Sequence, residues 1–388
     1  MEFGSSVRGE WRLEPGLVYL NHGTVGVTPA AVLEAQAEIR RAIETNPSRH
    51  ILREIVGMLG EPAPGRLRAA VERAAVLFGA RAEDVVPVEN ATTGVNAVLH
   101  SLGLGEGDKV VIAETTYGGV REAVRHACRL AGAQPVSVRL PHPIRSPEAV
   151  LEALDAALPS GPGLAILDHI VSETGAVLPV RELVRLCRER GLRVLIDGAH
   201  APGQIQLDVP SYGADAYVGN LHKWAFAPRS CGLLWVAPEL QPRMHPVVVS
   251  WNLDQGFAAE FEWTGTRDPS AFLAVPAALD FLDRLDFEAL RKYNHGLLWR
   301  GVEWLNGLWD TSTTAGEKMS AFMTAVELPP RFEATPANAS RLRDALLFEH
   351  RIEAPVFEFG GRLWVRLSVQ VYNEFRDFER LAEALDAL

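Results

Sequence analysis

The chain has 388 residues, 47% of them hydrophobic and 22% charged, so it can bury a substantial core and divide into more than one domain. A formal net charge of −11 argues against nucleic acid or an anionic membrane as the main partner, since both reward clustered Lys and Arg. No apolar stretch is long enough to span a bilayer and the polar N-terminus lacks an apolar signal core, so the expectation is a cytoplasmic protein.

Thr28-Pro29 opens an amphipathic pattern that runs through Thr45, with Thr as a candidate N-cap and Pro tolerated in the first turn. Asn46 to Leu59 has no clean period, and Pro64 to Phe78 reads as a second helix ended by Gly79. From Val85 onward, short β-branched runs alternate with helical stretches. The predicted strands are Val85 to Val88, Lys109 to Ala113, Gln134 to Val138, Leu164 to Leu167, Arg193 to Ile196, Ala214 to Val218 and Gly232 to Val236. Helices are expected at Thr93 to Leu102, Gly118 to Ala131, Pro147 to Leu158 and Pro179 to Arg190. Such alternation predicts an α/β fold with a mainly parallel, seven-stranded sheet covered on both faces. After Trp235 the pattern changes to a Pro- and Trp-containing stretch from Pro238 to Gly265. A long helical pattern from Ser270 to Leu308, a strand from Met319 to Glu327, a helix from Pro336 to His350, a strand from Arg362 to Ser368 and a helix from Glu374 to Leu388 follow. The expected division is an N-terminal segment over residues 1–20, a large domain over 21–255 and a smaller α+β domain over 256–388.

Chemistry concentrates at the predicted strand ends, where ligands of such sheets bind. Glu89-Asn-Ala-Thr-Thr-Gly94 links a strand to a helix, so Thr92 and Thr93 either cap that helix or offer hydroxyls to a phosphate at its N-terminus. Leu195-Ile-Asp197-Gly-Ala-His200 delivers a carboxylate into a turn of small residues, suited to keeping a pyridine nitrogen protonated or, more simply, to capping the turn. Only four lysines occur in the chain, and Lys223 stands in Asn220-Leu-His222-Lys223-Trp224, just past another strand. An amine in that setting suits a Schiff base to pyridoxal phosphate and, once freed, general-base work. Tyr117, before Gly118 and Gly119, either stacks on a flat cofactor or is an amphipathic residue at a helix start. Cys128, Cys187 and Cys231 are widely spaced without a CxxC, which fits neither a disulfide framework nor a zinc knuckle.

The ordered set Ala-Thr-Thr, Asp-Gly-Ala-His, His-Lys, Gly-Thr and Arg-Leu-Ser with Tyr-Asn resembles the class V aminotransferases of PLP-dependent fold type I. With Leu20-Asn-His-Gly23 and Lys223-Trp224 it looks most like the isopenicillin N epimerase-like branch, over about Leu20 to Asn373. The resemblance implies pyridoxal 5'-phosphate as cofactor, an internal aldimine on Lys223 and Asp197 against the pyridine nitrogen. It further implies Thr92, Thr93, His222 and Asn220 around the phosphate, Tyr117 stacked on the ring, and His200 and Ser172 near the phenolic oxygen. Thr266 would reach the phosphate of a second subunit, which implies a homodimer with shared sites. Arg366 would grip the carboxylate of an amino-acid substrate. Asn21 and His22 either line the entrance or, in the case of His22, form a satisfied loop histidine. Persulfide-forming desulfurases of this family use a cysteine in the small domain; no cysteine follows Cys231.

The function implied is removal of an amino acid's α-proton, with epimerase, racemase or aminotransferase chemistry to follow. A carbon–sulfur β-lyase resembling hercynylcysteine sulfoxide lyase is the alternative. A third reading, from a different class, takes Asp168, His169, Asp197, His200 and His222 as ligands of a metal-dependent hydrolase. Trp224, Trp251, Trp263 and Phe257 either line a pocket or simply pack.

Overall fold

The computed structural model describes residues 2–57 and 65–388; Leu59 and Pro64, which bounded two of the segments above, lie outside them. A short strand, β1 (Val18–Tyr19), precedes the amphipathic helix Ala30–Thr45. The expected strands then appear as β2 (Val85–Val88), β3 (Lys109–Ala113), β4 (Gln134–Val138), β5 (Gly163–Asp168), β6 (Arg193–Asp197), β7 (Ala216–Asn220) and β8 (Gly232–Val236). They form one sheet of order β2-β8-β7-β6-β5-β3-β4. Strand β8 runs antiparallel to both its neighbours, while the β3–β4, β3–β5, β5–β6 and β6–β7 pairs are parallel.

The near-continuous apolar character of the strands inside the sheet follows from burial on both faces, whereas β4 at the edge is largely exposed. Alternate residues separate into two cores: Val86, Val110, Leu164, Leu195 and Val218 pack with Val95 and Val98 of the helix Ala91–Ser101. Val85, Val111, Ala165, Ile196 and Tyr217 face the other layer. Close approach of that helix depends on Gly94, where a Cβ would come within 2.6 Å of Val218 Cγ2. The chain leaves β3 for β4 on one side and returns to β5 on the other, so the order reverses at the β3–β5 boundary, the crevice where open α/β sheets bind ligands.

The smaller C-terminal domain carries β9 (Met323–Glu327), β10 (Ile352–Glu353), β11 (Val356–Phe359) and β12 (Arg362–Ser368), with an antiparallel sheet of order β11-β12-β9. Strand β10 pairs in parallel with β1, which ties the N-terminal segment to this domain. No helix among the described residues is long and apolar enough to cross a membrane.

Several boundaries move. The helical pattern from Ser270 to Leu308 is three helices, Ser270–Leu273, Val275–Arg284 and Phe287–Trp309. The last break falls at Asp286, whose φ of 59° leaves the helical region and whose carboxylate accepts from the N–H groups of Glu288 and Ala289 as an N-cap. The strand expected at Ala214 to Val218 is shifted to Ala216–Asn220, and that expected from Met319 begins at Met323, after a 3₁₀ turn at Glu317–Met319. Within the aperiodic stretch after Asn46 lies a π-helical turn, Arg49–Ile55.

Candidate active site

The ends of β5, β6 and β7, the start of helix Ala91–Ser101 and the small-domain strand β12 surround a cavity of about 650 Å³. Its walls include Thr92, Thr93, Tyr117, Ser172, Asp197, His200, Asn220, His222, Lys223 and Arg366. Most of the expected site residues are therefore brought together by the fold.

Lys223 follows β7 and is held there by a tight backbone arrangement. Gly26, at φ +67°, lies against it: a Cβ there would sit 2.0 Å from the His222 carbonyl oxygen and 2.9 Å from that of Lys223. Burial, with repulsion from the Arg366 guanidinium and partial opposition from Asp197, pulls the Lys223 ammonium from 10.5 down to about 7. Its Nζ lies 3.0 Å from Nε2 of His200, while the Trp224 indole N–H points at Nδ1 of the same ring from 3.5 Å. If Nδ1 accepts, Nε2 carries the proton and donates to Nζ, which requires the amine to be neutral. Burial, helped by the Lys223 charge, also holds His200 well below the usual imidazole range.

Asp197 is buried, and desolvation raises its pKa against the Ala199 N–H, which donates at 2.9 Å, and against the charge of Lys223. A carboxylate so placed lacks a full counter-charge, and a protonated ring nitrogen would supply it. On the opposite wall, Asn90 rather than a threonine is the helix cap, accepting from the Thr93 N–H at 2.9 Å. Thr92 and Thr93 thus face the cavity at a helix N-terminus without serving as its cap. Asn220 works from behind: its Oδ1 accepts the Ala91 N–H at 2.8 Å and so fixes the same turn. His222 gives Nδ1 to the Cys231 carbonyl at 3.0 Å, which orients its ring; burial lowers its pKa to about 4. Beside Gly119, where a Cβ would meet the Tyr117 ring at 2.7 Å, the ring of Tyr117 folds back over the glycine and remains half exposed.

Arg366 of β12 reaches in fully buried, and desolvation lowers it to about 10. Nη1 donates to the Ser172 carbonyl at 2.7 Å, and Nη2 donates to Asn21 Oδ1 at 2.9 Å and to the Thr24 hydroxyl. Its buried Nε has no partner among the described residues. These contacts fix the guanidinium while leaving donors for a carboxylate, so the residues present fit an amino-acid substrate together with the phosphate, ring and amine requirements of pyridoxal phosphate.

Two expected entrance residues lie elsewhere. Asn21 does not line the cavity; it bridges Arg366 to Glu353, donating to Glu353 Oε1 at 2.8 Å. His22 is fully buried, with Nδ1 2.8 Å from the Tyr372 hydroxyl and Nε2 2.9 Å from the Lys223 carbonyl oxygen. Thr266 is exposed and does not line the cavity of its own chain. Trp224, Trp263 and Phe257 are packed in the interior, and Trp251 is exposed, so none is a cavity wall. The metal-ligand reading fails on geometry: no group of three or more His, Cys, Asp or Glu among the described residues is arranged to hold a metal, and His169 instead pairs with the Tyr217 hydroxyl at 2.8 Å. Cavity residues not anticipated from the sequence are Thr24, Val25, Ile170, Pro355 and, as part of this site, Asp168. Asp168 ends the apolar run Leu164-Ala-Ile-Leu as Asp197 ends Val194-Leu-Ile, a parallel that marks both as strand-end carboxylates.

A buried lysine, a strand-end aspartate and a helix N-terminus open to the same cavity on this sheet fit a PLP-dependent enzyme of fold type I. The class-V aminotransferase model matches residues 18–329, and the chain belongs to that family. It is similar to an L-cysteine desulfhydrase of Arabidopsis thaliana, 32% identical over 97% of this chain and 88% of the relative. It is also similar to the isopenicillin N epimerase of Streptomyces clavuligerus, 31% identical over 98% of this chain and 97% of the relative. Among solved structures, a cysteine desulfurase from Thermococcus onnurineus superposes with a TM-score of 0.80 at 19% identity, covering 100% of this chain and 99% of that one. A cystine C–S lyase superposes with a TM-score of 0.78 at 22% identity, covering 96% and 98%. At those identities the superpositions speak to fold. Family membership makes pyridoxal 5'-phosphate the cofactor.

Proposed function

We propose that this protein removes the α-proton of an amino acid, with Lys223 as the base. The observation that carries the reading is the buried Lys223 amine, poised near neutrality between His200 and Asp197 and facing Arg366 across one cavity. Bound there, pyridoxal phosphate supplies an electron-withdrawing ring that accepts the electron pair left when the α C–H bond breaks. Thr92 and Thr93 donate to the phosphate, with Asn220 bracing the turn; His222, whose Nδ1–H goes to the Cys231 carbonyl, joins them from Nε2 when the phosphate charge draws its ring to imidazolium. Asp197 keeps the ring nitrogen protonated, His200 and Ser172 lie toward the phenolic oxygen, and Tyr117 covers the ring. Arg366 binds the substrate carboxylate and fixes which bond at the α-carbon faces Lys223. The protein works as a homodimer in which Thr266 of each chain contributes to the other's site.

Two outcomes follow proton removal. Epimerisation needs a proton returned from the face opposite Lys223, a role we assign to the half-exposed Tyr117 hydroxyl at the cavity wall; similarity to the isopenicillin N epimerases supports this outcome. Loss of a sulfur group from the β-carbon needs no such acid, and similarity to L-cysteine desulfhydrases over 97% of the chain supports that reading. The three cysteines are all buried, which leaves no exposed thiol to accept sulfur. Incubation with L-amino acids in heavy water separates these outcomes. Deuterated, racemised product that requires the Tyr117 hydroxyl supports epimerisation; pyruvate and sulfide from L-cysteine, undiminished in Tyr117→Phe, support the lyase. Absence of α-deuteration, of pyruvate and of any other keto acid, with retained visible absorbance, refutes α-proton removal.

A further inference from the structure

Asp168 has no role in the chemistry above, yet it lines the same cavity. Asp168 and Asp197 end the adjacent parallel strands β5 and β6 as Cα register partners, so their side chains leave the same face about 4.8 Å apart at the backbone. Each is 4% exposed. Their surroundings differ. Asp197 has the Ala199 N–H and the charge of Lys223. Asp168 has only neutral donors among the described residues, its own backbone N–H and the Thr116 hydroxyl at 3.1 Å, and faces the negative groups Asp197 from β6 and Glu173 from the segment beyond its own strand. Two carboxylates at this separation in a dry site do not both ionise readily, and the proton settles on the one with less support. Thr116 also fixes where that proton sits. Its oxygen accepts the Ala113 N–H at 3.1 Å, its own hydrogen goes to Asp168 Oδ2, and the acid hydrogen is left to Oδ1.

We propose that Asp168 remains a neutral carboxylic acid beside Asp197, so that the pair presents one negative charge to the cofactor ring and to Lys223 instead of two. The inference rests on the pyridoxal phosphate reading of the site and makes Asp168 a positioning residue. A second carboxylate would hold the Lys223 ammonium more tightly and deplete the neutral amine. A neutral Asp168 leaves Asp197 as the sole anion under the ring nitrogen and Lys223 free to lose its proton. The same view explains Thr116: it satisfies the acid's carbonyl oxygen without adding charge.

The test is infrared difference spectroscopy of the holoenzyme at neutral pH, wild type minus Asp168→Asn, with Asp197→Asn as the contrast. The expected result is loss of a protonated carboxylic acid band in Asp168→Asn, with cofactor affinity by fluorescence titration kept within about threefold because the amide is a neutral isostere. Asp197→Asn should lose about tenfold or more in that affinity. Loss of carboxylate bands from Asp168→Asn, or a tenfold fall in its affinity, overturns the proposal. Should Asp168→Asn fail to fold, Thr116→Val reads the same proton: an upward shift of the acid carbonyl band supports the proposal, and a change confined to carboxylate bands overturns it. A wild-type protein that never gains visible absorbance with pyridoxal phosphate refutes the cofactor reading instead, while the infrared band still reports on Asp168.

Discussion

Cofactor capture should depend on pH with a midpoint near neutrality, because the attacking amine must be unprotonated. An ordinary lysine with its pKa at 10.5 is neutral in only about one molecule in several thousand at pH 7, whereas Lys223, lowered to about 7, is neutral in roughly half. The site therefore gains on the order of a thousandfold in reactive amine. Two substitutions move the midpoint in opposite directions. Arg366→Gln removes a positive charge that helps lower the Lys223 pKa, so the midpoint should rise; Asp197→Asn removes a negative charge that raises it, so the midpoint should fall. The assay mixes cofactor-stripped protein with pyridoxal phosphate in a stopped-flow spectrometer and follows growth of the visible band against pH. Borohydride reduction and peptide mapping place the label on Lys223, and Lys223→Ala provides the blank. A wild-type midpoint near that of free lysine, or a midpoint that Arg366→Gln leaves in place or lowers, would refute the reasoning.

Buried histidines should make the fold acid-sensitive. Burial holds His22, His169 and His222 near 4 in the folded chain, against 6.5 unfolded. The unfolded state then binds more protons between those values, so the stability conferred by neutral burial is fully present above about pH 6.5 and is lost as pH falls toward 4, by up to ~3 kcal/mol per residue. Thermal melts at stepped pH should show this slope, and His169→Gln should flatten it. Gly26→Ala places a Cβ 2.0 Å from the His222 carbonyl oxygen at a φ of +67°, and should cost about 1–3 kcal/mol on melting while weakening the visible band through displacement of Lys223. Asn21→Ala frees one side of the Arg366 guanidinium and should raise KM for the amino acid with kcat changed less; an equal fall in kcat at unchanged KM would assign Asn21 to a later step.

The sheet was legible because most of its strands are short apolar runs buried on both faces, while the edge strand β4, Gln134-Pro-Val-Ser-Val138, is largely exposed and was marked by its place in the strand–helix alternation. Four of its seven strands, Val85–Val88, Lys109–Ala113, Gln134–Val138 and Gly232–Val236, fall on the predicted limits. Chemistry at strand ends was legible for the same reason: parallel strands carry Asp197 and Lys223 to one edge whatever the loops do. What the sequence did not disclose is which polar residue faces the cavity and which one works behind it. His22 and Asn21 stand beside Gly23 in a loop-like stretch, and linear order cannot say that one imidazole is locked between Tyr372 and the Lys223 carbonyl while the neighbouring amide braces Arg366. Arg366 and Tyr372 come from β12 and the segment just after it, more than three hundred residues away, and the Lys223 carbonyl from about two hundred, so only tertiary packing brings them in. Asp168 was obscured by chemistry rather than distance: a second carboxylate in the run Asp168-His169 suggested a metal, because sequence shows residue type but not protonation. The register of β5 against β6 supplies what was missing. Once two acids share a dry strand edge, the number of protons between them becomes part of the site's design, and each proton held there weakens the pair's hold on the Lys223 ammonium.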